Sequence, residues 1–232
     1  MATKTAYHHG NLKPALVTAA LRQIAAEGLE ACSLRAVARR AGVSAPAVYR
    51  HFADKDALLA AVASQCAERL ASAMNAAVAA APPAPLEQFR ATGVALVRFA
   101  VAHPEHFRVM STPGVLAALP EPLRAGQDAF LARQRAMLAG AQARGELASH
   151  SLDALILAAH VSMAGLAHAI VEGRLGDIDD ARATELAIAV TNVLGFGLLP
   201  RAATADRARD GSRRSRRRAR TARSRARARG PR

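Results

Sequence analysis

Ser33, Arg35, Ser44, Tyr49, Arg50, His51 and Lys55 crowd one short stretch of the chain, with the small apolar residues Ala45, Pro46 and Ala47 among them. They offer hydroxyl, imidazole and cationic donors, a set suited to phosphate oxygens and base edges. The first kind of contact fixes position and the second fixes sequence. An arginine can make a bidentate guanine contact worth about 1–3 kcal/mol of discrimination, and Ala or Pro can touch a thymine methyl. The duller reading makes Ser33 a helix cap and Arg35 and Arg50 solvated charges. Catalysis has no comparable footing. The chain shows no Ser/His/Asp or Cys/His set, no Gly-rich phosphate loop and no metal-ligand cluster.

Such residues must be held by two brief helices and a tight turn, and the local signals are present. Ser33 is an N-cap, followed by Leu34, Val37, Ala38 and Ala41 at helical spacing. Gly42 stands where the chain leaves that helix and needs tolerance of positive φ. Ser44 is a second N-cap, and Pro46 falls in the first turn of the next helix. Val48 and Phe52 give that helix an apolar inner face, while Ala45, Ala47, Tyr49, Arg50 and His51 face outward. This is a helix-turn-helix whose second helix can enter a major groove. Upstream, Asn11 caps a first helix with Val17, Ala20, Leu21 and Ile24 inward, ended by Gly28. Downstream, Asp54 caps a fourth helix running past Leu58, Val62, Cys66 and Met74 towards Ala81. It is the element long enough to join two domains.

The ordered series Leu16-Val-Thr-Ala-Ala20, Glu27-Gly28, Ala41-Gly-Val-Ser44, Tyr49-Arg-His-Phe52 and Lys55-Asp-Ala-Leu58 resembles the N-terminal DNA-binding domain of the TetR/AcrR family of bacterial repressors, from about Tyr7 to Val62. The resemblance implies phosphate contacts from Ser33, Tyr49, His51 and Lys55, aided by the helix N-termini after Ser33, Ser44 and Asp54. It gives base readout to Ala45, Pro46 and Ala47, with Arg50 and Arg35 nearby. In the middle of the chain His103-Pro-Glu-His-Phe-Arg-Val-Met110 resembles the helix-breaking segment of one ligand-binding class of that family. That class carries a Trp and a His-Gly pair, where this chain has His160 and Ala164-Gly165.

Composition supports an all-helical protein. Hydrophobic residues make up 51% of 232, much of it alanine, and no stretch alternates with the period of a strand. There is no N-terminal apolar leader and no apolar run of spanning length, so the expectation is a cytoplasmic protein without a membrane partner. Cys32 and Cys66 lack framework spacing and read as small buried thiols. The net charge of +14 is unevenly shared. Residues 1–56 hold eight Lys/Arg against four Asp/Glu, residues 57–200 ten against twelve, and residues 201–232 fourteen Arg against two Asp. Nucleic acid at the ends and something else in the centre follows.

Three segments are therefore expected: a helix-turn-helix domain (1–56), a helical ligand-binding and dimerisation bundle (57–200), and an Arg-rich disordered tail (201–232) after a short arm, Met1–Gly10. In the bundle, helices are expected at Leu86–His103, Glu105–Met110, Leu123–Arg144, Leu152–Gly173 and Arg182–Leu199, with a loop rich in Pro and Gly between Met110 and Pro122. The last two helices are apolar around much of their circumference, as a homodimer interface requires. Phe107, Met110, Met137, His160, Met163 and His168 make a candidate apolar pocket with polar anchors, His160 and His168 sharing it; ordinary core packing is the alternative. His103 and His106 have an i,i+3 spacing that could face one metal, but helix-end or core histidines are the stronger reading; the adjacent His8-His9 of the arm has no third ligand nearby, and no metal or cofactor is expected. A dimeric repressor on a near-palindromic DNA operator, released when a small-molecule effector shifts the fourth helix, is the resulting expectation. The rival is an architectural DNA-binding protein acting through its arginine tail.

Overall fold

The computed structural model describes residues 12–148 and 151–196. The N-terminal arm, the Asn11 cap, His150 and the Arg-rich tail lie outside them. Among the described residues every regular element is an α-helix. Helices α1 (Leu12–Glu27), α2 (Leu34–Ala41) and α3 (Ala45–Tyr49) form the head of the molecule, and α4 (Lys55–Ala80) leaves it. At about 1.5 Å per residue its 26 residues span about 39 Å. A central helix, α5 (Pro85–Ala102), packs on α4 and is flanked by α8 (Glu121–Ala143), α9 (Leu152–Val171) and α10 (Asp180–Phe196).

Two short helices, α6 (Pro104–Met110) and α7 (Pro113–Ala117), turn back from the bundle to the head. The second replaces part of the expected loop. Pro113 opens α7 as Pro85 and Pro104 open α5 and α6, since a first-turn residue needs no N–H partner. What holds α7 in place is burial: Val115 and Leu119 sit in the same core as Leu16, Val37, Val48, Phe52 and Leu58. That core also takes in Val62, Cys66 and Val109, so it runs past residue 56 along α4. Gly114 lies so near the α1–α2 turn that a β-carbon there would come within 2.5 Å of Leu29 Cδ2. A second core holds Leu96, Val97, Phe107, Met163 and Ala167, and a smaller third holds Leu138, Leu147 and Leu155.

Helix α9 corrects one expectation. By length and composition it could cross a membrane. It also carries Asp153, His160 and His168, and it packs against α5 and α10, so its apolarity has a use within a helical assembly. Both cysteines are buried, and burial raises their pKa, that of Cys66 to about 12. They are neutral small apolar side chains.

Candidate nucleic-acid interface and central cavity

The turn between α2 and α3 is built as its residue types require. Ser33 Oγ accepts from the Ala36 N–H at 3.2 Å, which leaves its own hydrogen free to donate. Gly42 adopts φ 68°, ψ 29°, and its N–H and that of Val43 reach the carbonyls of Arg39 and Ala38 at 3.2 and 3.0 Å. These two bonds are a Schellman closure. Nothing would crowd a β-carbon at Gly42, so Gly42→Ala costs only left-handed backbone strain, about 1–2 kcal/mol. Thermal unfolding should show a loss of that size, with no loss for Gly126→Ala on exposed α8, where space is also open.

Helix α3 is pinned from behind by Val48 and Phe52, 0% and 3% exposed. Its outer residues Pro46, Tyr49, Arg50 and His51 are exposed, Ala47 is half-buried, and Ala45 leans against the head's core. Ser44 makes no capping bond with its side chain, so its hydroxyl is uncommitted. Arg35, Arg39 and Arg50 are exposed, and none has an ion pair among the described residues. Arg40 is different, held 3.2 Å from Glu27. In the bundle most arginines are paired, as in Arg90–Glu87, Arg98–Asp180, Arg135–Asp153, Arg144–Glu146 and Arg182–Glu185. Arg69, Arg108 and Arg133 are the bundle arginines without a carboxylate partner among the described residues, whereas on the head three unpaired arginines surround the one short helix α3. Arg39 joins Arg35 and Arg50 here; it shares α2 with Arg35 one turn away.

Lys55 stands apart from the rest. Its Nζ donates to the Leu29 carbonyl at 3.0 Å, tying the start of α4 to the α1–α2 turn. Asp54 Oδ1 accepts from the Ala57 N–H at 2.8 Å, and Asp56 adds a second carboxylate in that first turn. The α4 N-terminus thus carries its own negative charge and is a poor phosphate seat. Lys55 acts first by holding the head together.

The expected pocket divides. A cavity of about 100 Å³ lies among α4, α5, α8, α9 and α10, and of the six expected residues it is lined by His160 and Met163. Phe107 is buried in the second core, and its ring meets that of His168 with centroids 4.7 Å apart. His168 also lies 3.3 Å from Ser111 Oγ, away from the cavity. Met110 packs on the core of the head, and Met137 is half-buried on α8 outside the lining. Arg90, Gly93, Gln134 and Thr191 line the cavity instead. Gly93 has a steric reason, since a β-carbon there would meet Met163 Cγ at 2.9 Å.

His103 and His106 stack edge to face, 5.5 Å between centroids, beside Phe99. No group of three or more His, Cys, Asp or Glu among the described residues could hold a metal. His106 Nε2 is buried without a partner, and burial, then Arg69 and His103, lower its pKa against the opposing pull of Glu105. The folded form therefore binds this proton less readily than the unfolded chain, whose histidine titrates near 6.5. Stability falls as pH drops below 6.5 and levels out below the folded value. Unfolding temperatures at pH 7.5 and 5.5 should differ more for the natural protein than for His106→Leu.

Two family models match the chain. "Bacterial regulatory proteins, tetR family" matches residues 16–62, and "Tetracyclin repressor-like, C-terminal domain" matches residues 89–193. No curated protein matches. Among solved structures, a protein of unknown function from Rhodococcus sp. RHA1 is 29% identical, with 85% of this chain and 100% of that chain covered and a TM-score of 0.63. A TetR family transcription regulator from Marinobacter aquaeolei VT8 is 21% identical, covering 82% and 96%, with a TM-score of 0.66. The fatty acid degradation regulator FadR from Bacillus halodurans is 16% identical over 81% and 96%, with a TM-score of 0.64. The last two likenesses are of fold.

Proposed function

From the premise that this chain belongs to the TetR family of bacterial regulatory proteins and is a DNA-binding transcription regulator, we propose that it is a repressor. It binds a near-palindromic operator as a homodimer in the cytoplasm and leaves it when a small molecule enters the central bundle. The observation that carries the reading is the contrast in charge pairing. Arg35, Arg39 and Arg50 are unpaired around a short helix braced by Val48 and Phe52, while arginines of the bundle mostly have carboxylate partners.

In this reading Ser33, Ser44, Tyr49 and His51 donate to phosphates, and Pro46, Ala47 and Arg50 meet base edges, with Ala45 setting the depth of α3. Arg35 and Arg39 add charge beside the groove, and Lys55 positions. Two copies of α3 about 34 Å apart would read successive major-groove faces. The head extends along α4 to about Cys66, since the core does. Helix α6, packed on both α1 and α5, and α7, packed on α4 and α6, support a route by which an occupied cavity alters the separation of the two α3 helices.

Footprinting on the DNA upstream of the protein's own coding region tests the reading. A discrete protected site is expected, with far weaker binding to random DNA. Removing residues 201–232 should weaken both affinities and flatten their salt dependence, because fourteen arginines leave, yet keep most of the ratio between them. A ratio that collapses to one with the tail gone would overturn it.

A further inference from the structure

The central cavity has largely apolar walls, including Phe89, Leu96 and Ile156, broken by His160, Thr92, Thr191 and two side chains with donors to spare. Gln134 on α8 is 9% exposed and makes no hydrogen bond among the described residues. Arg90 on α5 gives Nη1 to Glu87 Oε2 at 3.2 Å, but its Nε is buried with no partner. It also borders the groove between α4 and α5. The hydroxyl hydrogens nearby are spent: Thr92 donates to the Phe89 carbonyl at 2.7 Å and Thr191 to the Ile188 carbonyl at 2.9 Å. A buried donor without an acceptor, as the Arg90 Nε–H is, is rare in folded chains, and the Arg90 side chain lines this cavity with Gln134 across from it on α8.

We propose that this cavity takes a small apolar molecule bearing a single acceptor oxygen, carboxylate or carbonyl, held between the Arg90 Nε–H and the Gln134 amide. The proposal rests on the bundle being the effector domain, and it names the effector's chemistry. Both side chains line the same cavity from different helices and can donate to an acceptor, whereas an ammonium head would meet the Arg90 charge. Size follows from volume. A water-sized group needs about 10–15 Å³, so about 100 Å³ admits roughly seven to ten of them. An eight-carbon chain with a polar head fits that range.

Calorimetric titration of the full chain with octanoate, 2-octanone and octylamine tests it. Octanoate or 2-octanone should bind at least tenfold more tightly than octylamine. Octanoate well ahead of the ketone assigns a carboxylate, and parity assigns a carbonyl. Gln134→Leu should weaken the acceptor-bearing probes about tenfold. Arg90→Lys, which deletes the Nε–H and keeps the charge, provides the same comparison should the first variant fail to fold. Equal binding of octylamine, no binding of either acceptor probe, or unchanged binding in the variants overturns the assignment. Operator affinity is read separately: tight octanoate binding without release from DNA keeps the cavity chemistry and sinks the effector reading.

Discussion

The double substitution Leu157→Glu, Val161→Glu is expected to leave a folded monomer that binds its operator at least a hundredfold more weakly. The two residues are 63% and 58% exposed and lie one turn apart on α9. The opposite face of that helix is already used: Leu155, Met163, Ala167 and Ile170 are buried within the chain. On α10, which packs against α9, Val193 is 73% exposed and Ile188 40%. In the proposed homodimer these exposed apolar side chains meet a second copy, paired as a four-helix interface. Two glutamates there would be taken out of water without a cation to meet them, which association cannot offset. The hundredfold figure comes from linkage. One head gripping half an operator loses the effective concentration its partner supplied, commonly a factor of about 10² to 10⁴. Sedimentation and gel-shift titration read the two effects. A dimer that persists with both glutamates in place would move the interface elsewhere.

The head was legible in the sequence because its geometry is set by local chemistry. A serine cap, a glycine needing positive φ and a proline in a first turn each act on their own few residues, and Gly42 took the conformation its position required. The pocket was not legible in the same way. His160 and His168 were expected to share it, but eight residues at 3.6 per turn leave them about 80° apart around the helix axis. One reaches the cavity and the other meets Phe107 and Ser111. Met110 and Met137 fill whatever gap tertiary packing leaves, and their spacing says nothing of which gap. Gln134 carried a weak signal as a lone uncharged polar residue on the inner stripe of α8. The short helix α7 was hidden because Thr112-Pro113-Gly114 resembles a break, while its cause, the burial of Val115 and Leu119 against the head, is a contact between distant parts of the chain. Lys55 shows the same limit: its position beside the recognition helix could be read, its bond to the Leu29 carbonyl could not.

That burial makes Leu58 the most consequential single side chain of the head. It is fully buried in the first turn of α4, in one core with Val48 and Phe52 behind the recognition helix and with Val109 and Val115 from α6 and α7. Leu58→Ala removes its share of buried surface and leaves a cavity, a loss of about 2–5 kcal/mol. Against a total of about 5–15 kcal/mol this is severe. For a chain of this size it lowers the unfolding temperature by about 4–20 °C. Leu138→Ala is the control, since Leu138 is as fully buried but belongs to the small third core with Leu147 and Leu155. Both variants should lose stability. Measured well below either midpoint, only Leu58→Ala should also lose operator affinity, because α3 rests on the core it hollows. Hydrogen exchange should quicken in α6 and α7 of that variant and stay unchanged there in Leu138→Ala. If α6 and α7 kept their protection in Leu58→Ala, they would not be part of the head's cooperative unit, and an occupied cavity would need another route to the DNA.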